Sequence, residues 1–126
     1  GLDVSPPLFF HDVPKETKSF ALIVDDPDAP MGTFVHWLAW NISADTTELS
    51  EGIVLPKQGT NDYKQINYGG PCPPPGPMHR YFFKLYALNS LLDLPQGATK
   101  EKIEKAMQGH ILEKAELIGT FQNKKS

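Results

Sequence analysis

Between Gly69 and Gly76 the chain reads Gly-Gly-Pro-Cys-Pro-Pro-Pro-Gly, and no other stretch limits its backbone as strongly. Each proline fixes φ and removes an amide donor, so Pro73-Pro74-Pro75 is incompatible with a helix interior or a central strand and must form an ordered loop. Gly69, Gly70 and Gly76 allow the close backbone approaches that a Cβ resists, which makes the Gly70 amide a candidate ligand donor. Past Pro77-Met78, this loop leads into His79-Arg80-Tyr81. An earlier stretch has the same layout: Asp26-Pro27-Asp28-Ala29-Pro30 leads into Phe34-Val35-His36-Trp37. Each segment sets a stiff loop beside one imidazole, and the two together can enclose a small polar pocket.

The hydrophobic pattern supplies a frame for these loops. Ser19 to Asp25 is an apolar run that stops at an Asp/Pro cluster, the signature of a buried strand. Thr33 to Asn41 is the next strand. Period two puts Phe34, His36, Leu38 and Trp40 on one face and Val35, Trp37 and Ala39 on the other. Residues 45 to 70 are turn-rich, with short strands at most around Ile53 to Leu55. A third strand is expected from His79 to Leu88, with His79, Tyr81, Phe83 and Leu85 alternating against Arg80, Phe82, Lys84 and Tyr86. Thr99 is a suitable N-cap, and Ile103, Ala106, Met107, His110 and Ile111 recur at helical spacing, predicting a helix from about Thr99 to Glu113. Leu117 to Phe121 reads as a closing strand. Because loops rather than repeated crossover helices separate the strands, the expected fold is mainly β and antiparallel, with one α-helix in the C-terminal half.

Composition narrows the function. A chain of 126 residues, 40% hydrophobic and 21% charged, is expected to form a single domain over residues 1–126. A net charge of −3 with dispersed basic residues gives no electrostatic footprint for nucleic acid. No apolar run approaches the ~20 residues of a membrane span, so stable membrane insertion is not expected. Cys72 is the one cysteine, which rules out an internal disulfide and suits a reducing cytoplasm, although a removed export signal stays open.

Taken in order, Ser5-Pro6-Pro7-Leu8, Asp26-Pro27-Asp28-Ala29-Pro30, Val35-His36-Trp37, Tyr68-Gly69-Gly70-Pro71-Cys72-Pro73-Pro74, His79-Arg80-Tyr81-Phe82-Phe83 and the ending from Gly109-His110-Ile111-Leu112 to Gly119-Thr120-Phe121 resemble the phosphatidylethanolamine-binding protein family, in its bacterial and archaeal Raf-kinase-inhibitor-like branch. The resemblance implies two antiparallel sheets with Greek-key connections and a small anion pocket for phosphate, phosphoryl head groups or carboxylates. By motif position the ligand-binding residues would be Asp26, His36, Gly70, Pro71, His79 and Tyr81, supported by Pro27, Asp28, Pro30 and Arg80. The family carries a further segment ahead of the Ser-Pro-Pro motif, where this chain has only Gly1 to Val4, so an edge strand or a dimer contact of the family is expected to be missing. Its animal members extend past the closing strand with a helix near the pocket. Kinase regulation is therefore not carried over, while a protein partner and a homodimer stay open.

The chemistry of these residues suits an oxyanion. His36, His79, the Tyr81 hydroxyl and the Gly70 amide could converge as donors, and affinity should rise as pH falls because imidazolium donates through both nitrogens. Asp26 would orient a histidine and favour its charged form. Arg80 alternates away from His79 and is expected in a structural ion pair with Asp28. Two histidines and an aspartate also have the composition of a metal site, but they lie on separate loops without a ligand spacing, so no metal or cofactor is expected. A hydrolase or phosphoryl-transfer enzyme using Cys72 and His79 is the alternative, weakened by the lack of a helix start that would activate the thiol. No catalytic residue is assigned. A peptidase- or kinase-inhibitor-type interaction protein, presenting the Pro-rich loop as a surface, is the third reading.

Overall fold

The computed structural model describes residues 5–30, 32–70 and 79–121, with the backbone alone at 79 and 119–121. Its strands are β1 (Leu8–Phe9), β2 (Ser19–Asp26), β3 (Phe34–Ser43), β4 (Glu48–Leu49), β5 (His79–Leu88) and β6 (Ile111–Phe121), with one helix, α1 (Lys100–Met107). The strands form two antiparallel sheets, a small β1-β4 pair and a larger sheet in the order β3-β2-β5-β6.

The continuous apolar run of β2 follows from its place in that order. It is central, and all eight of its residues are buried. Its alternate side chains feed two cores. Phe20, Leu22 and Val24 pack with Phe10, Trp37, Ala39, Leu49 and Leu55 on one face. Ala21 and Ile23 pack with Val35, Leu38, Trp40, Tyr86, Leu88, Ile103 and Met107 on the other. The helix closes the second core through Ile103 and Met107. Among the described residues, no helix is long and apolar enough to cross a membrane.

Two sequence expectations give way here. The helix begins as anticipated, with Thr99 Oγ1 accepting the Lys102 amide at 3.3 Å. It ends at Met107 rather than near Glu113 because Gly109 adopts a positive φ of 81° and turns the chain. Residues from Ile111 onward then pair with β5, so the closing strand is 11 residues long and takes what the periodicity read as the last helical turn. The short strand anticipated around Ile53 to Leu55 does not form. Glu48–Leu49 occupies that role instead, pairing with Leu8–Phe9.

The outer edge of β3 is sealed by the segment that follows β4. Trp40 N donates to Lys57 O at 3.2 Å, Gly59 N to Leu38 O at 2.9 Å, Asp62 N to Val35 O at 2.9 Å and Gly69 N to His36 O at 2.9 Å. Covering the edge satisfies backbone groups that would otherwise template another strand. The approach is close enough to demand glycine at one point. A Cβ on Gly59 would lie 2.4 Å from Ala98 O and 2.9 Å from Leu38 Cβ, neither of which can swing aside. Gly59→Ala should therefore lower stability by about 1–3 kcal/mol, the usual cost of overpacking, measured by urea denaturation. An unchanged midpoint would show that the covering segment is looser than its hydrogen bonds indicate.

Candidate functional site

The site is organised by an irregularity in β3. Opposite β2, Val24 pairs with Trp37 and Asp25 pairs with Val35, which leaves His36 as an extra residue in a β-bulge. A bulge interrupts the period of two and re-aims a side chain. The simple alternation therefore fails at this position. Val35 joins Leu38 and Trp40 in the second core, and the His36 ring lies instead on the side of Tyr81, 5.1 Å away between ring centroids. Its neighbours are aromatic. Phe34 lies 5.0 Å and Tyr63 5.9 Å from the imidazole by the same measure.

The imidazole is held by its backbone partner. His36 Nδ1 is 2.7 Å from Gly69 O, which can only accept, so Nδ1 carries a proton and donates it. Among the described residues, Gly69 O is the one hydrogen-bond partner of the His36 ring, leaving Nε2 as the nitrogen for a ligand. Burial pushes the His36 pKa below its ordinary 6.5. The Gly69 hydrogen bond opposes that shift, as do the fields of Asp26, then Asp25 and Asp62, without overcoming it.

Gly69 is placed by a loop that the sequence left unread. The Asn61 side chain, 1% exposed, donates through Nδ2 to Asn67 O at 2.8 Å and accepts the amides of Tyr63 at 2.9 Å and Gln65 at 3.1 Å through Oδ1. Asp62 Oδ2 accepts the Val35 amide at 2.8 Å, fixing the loop to the residue beside the bulge. Tyr63 Oη donates to Gly70 O at 2.7 Å, and its ring lies so close over Gly69 that a Cβ there would be 2.3 Å from Tyr63 Cδ2. Asn61, Asp62 and Tyr63 are thus site-building residues that sequence reasoning missed. Asn61-Asp62 falls within the turn-rich stretch of residues 45 to 70, and nothing in the sequence marks the Asn61 amide as a hub.

The acidic turn after β2 supplies the second wall. Asp26 is 3% exposed, and its Oδ1 accepts the Asp28 amide at 2.8 Å. Asp28 in turn receives Arg80 through Nε at 2.9 Å, Nη2 at 3.0 Å and the backbone amide at 3.0 Å, the ion pair expected for these two residues. This bidentate clamp ties the turn to the start of β5, and Tyr81 follows at 6% exposure. His36 and Tyr81 thus come together, Asp26 is close enough for its field to act on the imidazole, and Gly69 O holds Nδ1. Pro71, Cys72 and the rest of the proline run lie outside the described residues, as does the His79 side chain. Among the described residues, no group of three or more His, Cys, Asp or Glu is placed to hold a metal ion.

Comparisons with known proteins match nearly the whole chain. A family model described as phosphatidylethanolamine-binding protein matches residues 1–122. The UPF0098 protein of Methanothermobacter thermautotrophicus is 50% identical over 129 residues, covering 97% of this chain and 85% of that one. Its counterpart in Pyrococcus abyssi is 48% identical over 136 residues, covering 98% and 75%. Among solved structures, a phosphatidylethanolamine-binding protein homologue from Chlamydia trachomatis superposes with a TM-score of 0.91 at 45% identity, covering 95% of this chain and 82% of that chain. Escherichia coli YbcL, described as a new member of the mammalian family, does so with 0.88 at 31% identity, covering 96% and 81%.

The lowered His36 pKa has a readable sign. The folded protein takes up this proton less readily than the unfolded chain, so the neutral ring contributes stability above about pH 6.5 that is lost as pH falls through that value toward the folded pKa. Nitrogen-15 NMR should show His36 as the Nδ1-protonated tautomer, titrating below the ordinary 6.5 of a histidine. Urea midpoints should fall between about pH 7.5 and 5.5, less steeply in His36→Gln. A His36 midpoint at or above 6.5 would contradict the burial argument.

Proposed function

The chain belongs to the phosphatidylethanolamine-binding protein family, and on that premise we propose that it is a small-anion binding protein whose ligand, a phosphoryl or carboxylate group, docks against His36. The observation that carries this reading is the immobilised imidazole. His36 sits at a bulge, is held through Nδ1 by Gly69, is walled by Phe34, Tyr63 and Tyr81, and lies beside Asp26. Ordering so much structure around one ring serves recognition: a preorganised donor or acceptor binds without a further ordering cost. The proline-rich rim, His79 and the Gly70 amide would complete the donor set, and Arg80, already engaged by Asp28, would shape the rim rather than touch the ligand.

Binding rather than turnover fits the residues at hand. Acyl or phosphoryl transfer needs a nucleophile, a base and charge-stabilising donors in mutual reach. His36 spends one nitrogen on Gly69, and Asp26 spends an oxygen on Asp28. The hydrolase alternative rests on Cys72 and His79, and a broad esterase and phosphatase panel with Cys72→Ser as control tests it; turnover that this variant abolishes would promote the enzyme reading.

The direct test of anion binding is calorimetry with inorganic phosphate near pH 7, followed by NMR of the His36 ring. One saturable site that shifts the His36 signals is expected, and His36→Ala should weaken it at least tenfold, about 1.4 kcal/mol, in a variant whose melting curve confirms folding. Absence of any perturbation by phosphate or acetate at millimolar concentration from about pH 5 to 8 would overturn the proposal.

A further inference from the structure

We infer that β6 is the contact strand of a symmetric dimer, pairing antiparallel with β6 of a second copy of this chain about Ala115. The larger sheet has two edges. That of β3 is sealed by the segment from Lys57 to Gly69, whereas β6 ends the order β3-β2-β5-β6 with no strand beyond it among the described residues. This strand is 11 residues long, and every residue from Ile111 to Ile118 is exposed, Leu117 at 59% and Ile118 at 51%. A long bare edge presents a row of unpaired amides and carbonyls, which is a template for another strand.

The surface beside this edge is apolar. On the face that carries Leu85, two neighbouring grooves of about 290 and 190 Å³ run between β6 and the segment around β1. Ala115 lines both, as does Phe9, whose side chain is left largely in solvent. Adding one strand to the sheet sets the second copy's β6 along the open side of these grooves.

Charge selects the occupant. Charged side chains ordinarily protect an edge from pairing, and β6 carries Glu113, Lys114 and Glu116 in its exposed stretch. When two identical antiparallel strands are related by a two-fold axis, one residue faces its own copy and its neighbours exchange partners. With Ala115 on the axis, Lys114 faces the second copy's Glu116, Glu116 faces the second copy's Lys114, and Glu113 lies across from Leu117. Moving the axis to Lys114 or to Glu116 sets like charges face to face. Within one copy Lys114 Nζ already lies 3.1 Å from Glu116 Oε2 and 5.6 Å from the centroid of the Tyr86 ring, so both charged groups are held on one face of the strand. Opposite charges directly across two strands stabilise the pair, and like charges destabilise it. A peptide of unrelated sequence lacks this match, so the partner is a second copy.

Sedimentation equilibrium of the full chain between about 5 and 200 μM tests this and should show a monomer–dimer equilibrium. Lys114→Glu and Glu116→Lys each oppose like charges twice across the axis; either should weaken the dimer at least about tenfold, and the double exchange should restore it. In a Cys72→Ser background, Ala115→Cys should cross-link two copies on mild oxidation, since residues facing across the axis are within disulfide reach, whereas Val54→Cys, exposed and off the strand, should not. Circular dichroism confirms that each variant is folded. A dimer indifferent to the single reversals, or one that Ala115→Cys does not cross-link, uses another surface and overturns the inference. A chain that stays monomeric throughout overturns it as well, and hydrogen exchange then names the cover: slow β6 amides assign it to the chain's own residues, fast ones leave the edge bare.

Discussion

One additional residue in β3 sets the position of everything else at the site. Because Val24 faces Trp37 and Asp25 faces Val35, His36 has no partner on β2, and its side chain leaves the face that strict alternation would give it. A histidine between Leu38 and Trp40 would be a core residue in need of internal satisfaction. Displaced by the bulge, it meets Tyr81 of β5, and its backbone carbonyl accepts the Gly69 amide from the covering segment. The bulge is stabilised from outside the sheet by Asp62, which bonds the Val35 amide and carbonyl through its own carboxylate and amide. Loop and strand thus define each other: the segment from 57 to 69 seals an edge, and the edge gives that segment a fixed shape.

The adjacent carboxylates Asp25 and Asp26 show how a strand can assign opposite roles to like residues. Asp25, 1% exposed, points toward the helix side and is neutralised by Lys84 from β5 and by Lys100 from the first turn of α1. Such a buried cluster contributes less net stability than its short distances suggest, because desolvation offsets attraction, yet removing one partner strands a charge. Its structural effect is to pin the start of α1 to the end of β2. Asp26 turns the other way and orders the following turn through Asp28. That turn reaches Arg80, so the acidic motif after β2 and the basic residue of the His-Arg-Tyr motif are mechanically one unit.

This coupling explains why motifs far apart in the chain stand together. Asp28 and Arg80 are 52 residues apart, and His36 and Gly69 are 33 apart, yet each pair is in direct contact. The family relation accounts for the architecture, at TM-scores of 0.91 and 0.88 to two solved members. The tautomer of His36 adds what architecture alone leaves open, since a ring that donates at Nδ1 presents opposite hydrogen-bonding characters at Nε2 in its neutral and charged forms.

Local chemistry in the sequence was enough for the frame. The apolar run of Ser19 to Asp25 demanded burial, the alternation of His79 to Leu88 demanded a strand, and Thr99 marked a helix start. Each of these depends on the residue and its near neighbours. The motifs were also legible as motifs, including the pairing of Arg80 with Asp28, because opposite charges on two stiff segments have few other ways to be satisfied. What the sequence could not determine was anything that depends on one segment being pressed against another. Helical spacing ran on through Ile111, but a ten-pair ladder with β5 outweighed it once Gly109 had turned the chain. The roles of Asn61 and Tyr63 exist only because Gly69 and Gly70 pass beneath them. The side of the sheet that His36 occupies was decided by a slip of one residue against β2, and a register slip leaves no trace in the period of a single strand.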